Sequence, residues 1–325
     1  MRVVPRMTSR GVEKMKDHSI GVDISKDWLD AHRLIDGANR RFANDAKGYK
    51  ALIAWMGDEV VRIVYEPTGA YHRRFEERMT TAGRPLVKVN PRRAHRFFDV
   101  AGQIAKTDRL DAEMLARMGS MLDLKPRPQA GPQLNELREL HVARQALVKD
   151  RTAARNRAKN LSLALLKRQN AERLKQIERA IQAIDAEIVR RIAIDEIMAT
   201  NFAILTSIPG ISAITAATLI IEMPELGDLD ANQAAALLGV APVTRQSGKW
   251  RGCAFIRGGR ATLRQALYLP ALVAARFNPD LAAKYTQLRA NGKPPKLAIV
   301  AIMRKLIILA NALIRSQRNW APNPT

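Results

Sequence analysis

Ser19-Ile20-Gly21-Val22-Asp23-Ile24-Ser25 alternates small and β-branched residues and reads as a short strand. Asp23 interrupts it. A carboxylate in an apolar strand is costly unless it is paired or metal-bound, so one stretch predicts both a sheet and a site. Working outward, residues 28–35 and 40–44 read as second and third strands joined at Asp36-Gly37, an antiparallel meander. A helix is expected over 46–56. A fourth strand over 62–65 is stopped by Glu66-Pro67-Thr68-Gly69. A helix over 71–82 leads to a fifth strand at 86–89. Strands first, then helices alternating with strands, predict a mixed α/β sheet covered by helices.

Lys106-Thr107-Asp108-Arg109-Leu110-Asp111-Ala112-Glu113-Met114-Leu115-Ala116 follows, with apolar residues at helical spacing. Asp108 and Asp111 stand at i and i+3, on one helix face. Such a pair repels unless something positive lies between its members. Lys106 and Arg109 would serve, and so would a hard divalent cation. Taken alone, the plainer reading is a solvated face with Asp108 capping the helix. Asp23 in its strand and Glu66 at a strand end change the balance. Four carboxylates converging at one sheet edge make an oxygen-only site suited to Mg²⁺ or Mn²⁺. Two such ions clamp a phosphodiester.

Composition points the same way. The chain of 325 residues carries 54 Lys and Arg against 31 Asp and Glu, a net charge of +23, which predicts a polyanionic partner, most simply nucleic acid. At 47% hydrophobic it is globular. The single cysteine, Cys253, excludes a disulfide framework and a thiolate zinc site. His32, His72, His95 and His141 lack ligand spacing. Residues 1–17 read as a basic tail without the apolar core of a secretory signal. Residues 201–221 hold no charge, but Pro209-Gly210 breaks them into two short helices, and no membrane partner is expected. A reducing cytoplasm is compatible with the single cysteine.

Lys125 to Pro132 is a Pro- and Gly-rich linker closing a domain over 18–125. Residues 133–199 contain neither Pro nor Gly. Leu134, Leu137, Leu140 and Leu147, then Leu174, Ile177, Ile181, Ile184, Ile188 and Ile192, form an apolar seam, predicting two long antiparallel coiled-coil helices that turn near Asn170. Arg151, Arg155 and Lys159 belong to a basic face suited to phosphates, or to plain solvation. In the domain expected over 200–318, Ile208-Pro209-Gly210-Ile211 resembles a helix-hairpin-helix turn, with Gly210 and the next helix N-terminus attracting a phosphate. Ala241 to Gly252 is a Gly-rich cationic loop. Arg245, Lys249, Arg251, Arg257 and Arg264, with Arg260, are placed to surround a phosphate. Ser247 among them is a candidate nucleophile. A turn serine in a phosphate-binding loop is the plainer alternative. The helix over 297–314 is apolar on most faces and expected to be buried, and Arg304 and Lys305 within it argue against a membrane span.

In combination, Ile20-Gly21-Val22-Asp23, Tyr65-Glu66-Pro67-Thr68-Gly69-Ala70-Tyr71 and Lys106-Thr107-Asp108-Arg109-Leu110-Asp111-Ala112 resemble the DEDD transposases of insertion-sequence family 110. Ile208-Pro209-Gly210-Ile211, Gln246-Ser247-Gly248-Lys249 and Leu263-Arg264-Gln265-Ala266-Leu267-Tyr268 extend the resemblance over nearly the whole chain. It implies an RNase H-like, RuvC-like N-terminal domain with Asp23, Glu66, Asp108 and Asp111 as metal ligands. It implies a mostly helical C-terminal transposase domain whose Ser247 attacks DNA, and a structured bridge RNA pairing with donor and target DNA. Gly259-Arg260 departs from the family's Gly-Asn, so Arg260 receives no family role.

Ser247 has no histidine or carboxylate nearby in sequence to take its proton, and cations do not accept one. The metal domain and the serine domain are therefore expected to meet over one phosphate, within a chain or between chains. Cutting several strands calls for several protomers, so a homodimer assembling to a homotetramer is expected. Two other classes remain open: a metal-dependent junction resolvase or nuclease in which Ser247 only binds phosphate, and a non-catalytic nucleic-acid-binding protein.

Overall fold

The computed structural model describes residues 18–69, 71–102, 107–126, 131–248 and 250–322. These fall into two compact units, divided between Ala130 and Gly131. Residues 1–17, Lys106 and Lys249 lie outside the described set.

The first unit is a five-stranded sheet of order β3-β2-β1-β4-β5. β1 (Ser19–Ile24), β2 (Trp28–Arg33) and β3 (Ala38–Ala43) form the antiparallel meander, and β4 (Arg62–Tyr65) and β5 (Leu86–Lys88) run parallel to β1. The meander turns where Asp36 accepts from the Arg33 guanidinium and from the Ala38 amide. That guanidinium holds the Asp36 carboxyl down at about 2. Alternation along β1 sorts the two faces. Ile20, Val22 and Ile24 pack with Ile63 and Tyr65 on one face, toward α1 (Ala46–Met56) and α2 (His72–Thr81). On the other, Val64 and Val87 pack with Ala94 and Phe98 of α3 (Pro91–Val100) and with Met114, Leu115 and Met118 of α4 (Asp108–Met121).

Gly21 lets α4 lie directly on the sheet. A Cβ there would stand 1.9 Å from the Ala112 carbonyl oxygen and 2.6 Å from the Ala116 amide nitrogen. Arg62, buried at the start of β4, fixes the far end of α4. Its guanidinium donates to the carbonyls of Gly119 (2.7 Å) and Leu124 (3.1 Å) and to Asp123 (3.2 Å). A buried cation on the last carbonyls of a helix satisfies both their hydrogen bonds and the negative end of the helix dipole. α4 therefore starts at the C-terminal end of β1 and finishes beside the start of β4.

The second unit is helical. α5 (Pro132–Ala158) and α6 (Ala164–Ile194) lie antiparallel, tied by Arg144–Asp185, Arg155–Glu178 and Arg191–Glu136. The reversal falls at residues 159–163 rather than at Asn170. Asn170 lies inside α6 and donates its amide to the Ala154 carbonyl at 3.1 Å, an interhelical brace and not a turn. Ile177, Ile181, Ile188 and Ile192 are the buried residues of α6. The helix breaks at Asp195, which caps α7 (Glu196–Ser207) by accepting from the Met198 amide. The short helix expected at 202–207 is the end of this longer one.

α8 (Ala213–Glu222), α9 (Ala231–Leu238), α10 (Ala261–Phe277), α11 (Pro279–Ala290) and α12 (Pro295–Arg315) complete the unit around one core. By length and composition alone α12 could cross a membrane. It is a core helix instead, with Ile302, Leu306, Ile307 and Ala310 fully buried. Asn311, buried on it, accepts from the Gly227 amide and donates to the Leu229 carbonyl, pinning the turn ahead of α9. Between α9 and α10 the cationic loop holds two small ladders, β6 (Pro242–Val243) with β9 (Phe255–Ile256), and β7 (Gln246–Ser247) with β8 (Trp250–Arg251).

Candidate active site

The expected carboxylates stand at the C-terminal end of the parallel strands. Asp23 and Glu66 are the next residues along β1 and β4 after the paired Val22 and Tyr65. They follow by two positions Gly21 and Val64, against which α4 is packed. α4 delivers Asp108 and Asp111 in its first turn. Thr107, not Asp108, is the cap: its hydroxyl accepts from the Leu110 amide, because a short side chain at the last extended residue reaches back into the first turn. Asp108 is thereby left pointing outward, 60% exposed.

Three of the four carboxylates feel one another. Burial, then the charges of Asp108 and Asp111, raise the Asp23 carboxyl to about 6. Even so, among the described residues no three His, Cys, Asp or Glu side chains draw together closely enough to hold a metal ion. Like charges without a counter-ion keep apart, and Asp108 is engaged elsewhere. Arg41 on β3 forms a double hydrogen bond to Asp30, 2.9 Å on each arm, and reaches Asp108 at 3.3 Å. Of the cations expected beside the pair, Lys106 lies outside the described residues; the cation that reaches Asp108 is Arg41, which the sequence reading did not name. Counting back from the Asp36-Gly37 turn sets Asp30 opposite Arg41, and that register was the available signal.

A second set of polar groups fixes the strand end from which Glu66 emerges. The Tyr65 hydroxyl donates to Glu76 of α2, which also pairs with Lys88 of β5 at 2.7 Å. His72 lies 3.6 Å from the same carboxylate, and burial, followed by the charge of Lys88, holds its imidazole below its ordinary range. Burial and Glu76 push the Tyr65 phenol far up, so it remains a donor.

The donor chemistry fits a hard divalent cation. All four groups are carboxylates, and the raised Asp23 is one that a bound cation would return to its charged form.

In the second unit Ser247 lies on β7, paired with Trp250 and exposed. Arg251 and Arg257 are exposed, and Arg245 lies over the Phe255 ring at 4.8 Å. Arg264 is partly withdrawn. It donates to the Gly258 carbonyl at 2.7 Å and reaches toward that of Gly239, so it shapes the loop. Arg260 is held by Glu225 and the Glu222 carbonyl, which gives it a structural role. Gly210, at φ 106°, is required by packing: a Cβ would meet the Pro270 carbonyl and Ala274 within 3 Å. The N-terminus of α8 behind it is capped by its own Ser212. On α5, Arg155 pairs with Glu178 at 2.8 Å, while Arg151 and Lys159 make no ion pair among the described residues.

Comparison with known proteins agrees with this geometry. Residues 20–167 match a DEDD-type transposase model, described simply as a transposase, and residues 202–286 match the transposase model of the IS116/IS110/IS902 family. The pilin gene-inverting proteins of Moraxella lacunata and Moraxella bovis are each 28% identical over 318 residues, covering 92% of this chain and 96% of theirs. An uncharacterized 43.6 kDa protein of insertion element IS110 from Streptomyces coelicolor is 32% identical over 114 residues, covering 34% of this chain and 28% of its own. The two models follow one another along one chain, the first from the sheet into α6 and the second over the serine loop, and the chain belongs to the IS110 family of transposases, a transposase or site-specific recombinase acting on DNA.

Proposed function

We propose that this transposase cuts and exchanges DNA strands through a serine–DNA linkage, using a divalent cation held by Asp23, Glu66, Asp108 and Asp111 on an RNase H-like, RuvC-like domain. The observation that carries the reading is the collection of these carboxylates at one end of the sheet, with Asp23 raised to about 6 by burial and by the charges of Asp108 and Asp111. Mg²⁺ or Mn²⁺, when bound, supplies charge neutralisation at a scissile phosphate and at the oxygen leaving it. The strand order β3-β2-β1-β4-β5, with an antiparallel edge and a parallel centre, supports the RNase H-like reading.

Ser247 is the nucleophile in this scheme. Its Oγ forms a bond to phosphorus, the bond from phosphorus to the 3′ oxygen breaks, and the serine proton ends on that 3′ oxygen. One phosphoester replaces another, so rejoining to a new partner needs no external energy source. Arg245, Lys249, Arg251 and Arg257 stabilise negative charge on the oxygens of the pentavalent phosphorus, which is where preorganised donors contribute most. Arg264 and Gly210 position backbone.

Strand choice is assigned to a structured bridge RNA that pairs with donor and target DNA. The α5–α6 pair, through Arg151, Arg155 and Lys159, is its binding face and a dimer contact, and the dimer assembles to a tetramer on nucleic acid. The relatives named for inverting a pilin gene support a site-specific exchange of this kind. The deciding experiment incubates the protein with guide RNA, Mg²⁺ and labelled target DNA, denatures it and looks for labelled protein. Wild type gives a Mg²⁺-dependent adduct and Ser247→Ala gives none. Recombination by Ser247→Ala would transfer the reaction to water or to another residue, and the protein would then be a junction resolvase.

A further inference from the structure

β3 is an edge strand, and α4 packs over β1, β2 and β4. This leaves a shallow groove between the first turn of α4 and β3, lined by Asn39, Arg40, Arg41 and Arg109 above Asp30. Arg109 is exposed and makes no ion pair among the described residues, while the guanidinium of Arg40 turns to the other face of β3, over the Phe42 ring. Arg41 uses Nε and Nη2 on Asp30 and Asp108, and its Nη1 makes no hydrogen bond among the described residues. Next to Arg41 stands Trp28, the first residue of β2. An indole there has no packing reason to face solvent, yet it is 48% exposed. Trp28 shares a face with Asp30, the partner of Arg41, and the guanidinium carbon lies 5.9 Å from the ring centroid. Asp23 is paired with Asp30 across β1 and β2, so the groove opens onto the acidic end of the sheet.

We propose that Trp28 and the Arg41–Arg109 groove form a binding site for one unpaired DNA strand beside the scissile phosphate, with a base stacked on the Trp28 indole and backbone phosphates on the arginines. The chemistry selects this ligand. Every base offers a π-face to an indole, and cations track the phosphates. In a duplex that face is covered by the next base pair, so only an unpaired base can take the position. Arg41, lying against the ring and touching Asp108, links occupancy of the groove to the carboxylate end. This inference rests on the nucleic-acid-cutting role proposed above for Asp23 and Asp108, but its test does not pass through cleavage.

The test measures binding of the full chain to a short oligothymidylate, the matching oligouridylate and a duplex. It is done without divalent cation, by affinity, salt dependence and tryptophan quenching. Trp28→Ala should weaken oligothymidylate binding about ten-fold with its salt slope unchanged, and should remove part of the quenching. Trp28→Phe, which keeps an aromatic face, should stay within about three-fold of wild type. Arg109→Gln should reduce the slope of log K against log salt by about 0.7, one phosphate contact on a single strand. Unchanged affinity and quenching in Trp28→Ala would overturn the proposal, as would a loss in Trp28→Phe as large as in Trp28→Ala. A loss confined to oligouridylate would overturn the assignment to DNA, and equal losses on the duplex would overturn the requirement for an unpaired base. If Trp28→Ala lowers the melting temperature, Trp28→Phe and Arg109→Gln still decide. Because no cation is present, failure here leaves the carboxylate reading standing, and loss of that reading in a cleavage assay leaves these affinities as they are.

Discussion

The acidic end of the sheet and the serine loop are built to different standards. Asp23 continues a strand whose neighbours Ile20, Val22 and Ile24 are buried, and α4 is clamped against it at Gly21 and at Arg62. The serine loop has no buried side chain from Pro242 to Ser247, and its regular structure is two ladders of two-residue strands. A group in the first region keeps its position because moving it would disturb a core. In the second, backbone hydrogen bonds in contact with water hold the chain, and such segments open at little free-energy cost. The contrast sets the proposed carboxylate site on a rigid frame, and predicts that the serine loop takes its working shape only on its substrate.

Substitutions that probe each region separately can break that contrast. The largest effect is expected at Asp108. Asp108→Ala removes an exposed carboxylate with a single 3.3 Å ion pair to Arg41, so folding should be within about 0.5 kcal/mol of wild type. Strand cleavage should fall by about 10³-fold or more, the scale of losing one electrostatic element of a catalytic site. Measured cleavage near wild type would remove Asp108 from the reaction. Gly21→Ala comes next, and acts on the frame. The added methyl meets backbone atoms of Ala112 and Ala116 at 1.9 and 2.6 Å, and backbone cannot step aside as a side chain can. A loss of roughly 3 kcal/mol in the first unit is expected, at or above the usual range for overpacking, read as a lowered melting temperature. A neutral Gly21→Ala would mean that α4 is not seated as described, and that Asp108 is not held near Asp23.

Much of the sheet unit could be read from sequence because its signals are local. Alternation marked β1, Asp36-Gly37 marked the meander turn, and α1 began and ended at the predicted residues 46 and 56. Long-range pairing was not readable. The Asp30–Arg41 contact depends on strand register counted back from the turn, and Arg41 was missed for that reason. α3 and α11 were also missed, although Asn90-Pro91 and Asn278-Pro279 are cap-then-proline starts. Asp195 ended a helix without Gly or Pro, and Asn170 drew the expected helix reversal past its place at residues 159–163 because it looks like a turn residue and is a brace. In the second unit the sequence showed a crowd of cations but not their employment. Arg260 serves Glu225 and Arg264 serves two carbonyls, and only the fold separates these from Arg251 and Arg257 at the surface.

Arg264 offers an intermediate test of the contrast, since it is the side chain that ties the serine loop to the helical core. Arg264→Ala leaves the Gly258 carbonyl without its charged donor, for a loss of about 1.5 kcal/mol in the second unit. Arg264→Lys should recover part of that, because one ammonium cannot span both carbonyls as the guanidinium fork does. Hydrogen exchange at the β6–β9 ladder should quicken in both variants, while exchange at β1 and β4 stays as in wild type.

The smallest effect is expected at Gly248, and it bears most directly on how loosely the serine is held. Gly248 follows Ser247 at φ 54° and a Cβ built on it meets nothing within 4 Å, the opposite of Gly21. Gly248→Ala therefore pays only for holding an L-residue in the left-handed region, about 1 kcal/mol. Because the loop is not part of a buried core, that strain should relax locally: the melting temperature of the second unit should stay within the error of measurement, and only exchange at the β7–β8 pair should rise. Adduct formation gives the sharper reading. A loop that is already in its working shape would pass the strain on to Ser247 and slow the reaction in proportion, about five-fold for 1 kcal/mol. A loop shaped by its substrate takes the same strain as a binding penalty, so the half-saturating DNA concentration should rise by about that factor while the rate at saturation stays as in wild type. The opposite split, with a slower saturated rate and an unchanged half-saturation, would show the serine loop to be as preorganised as the carboxylate end.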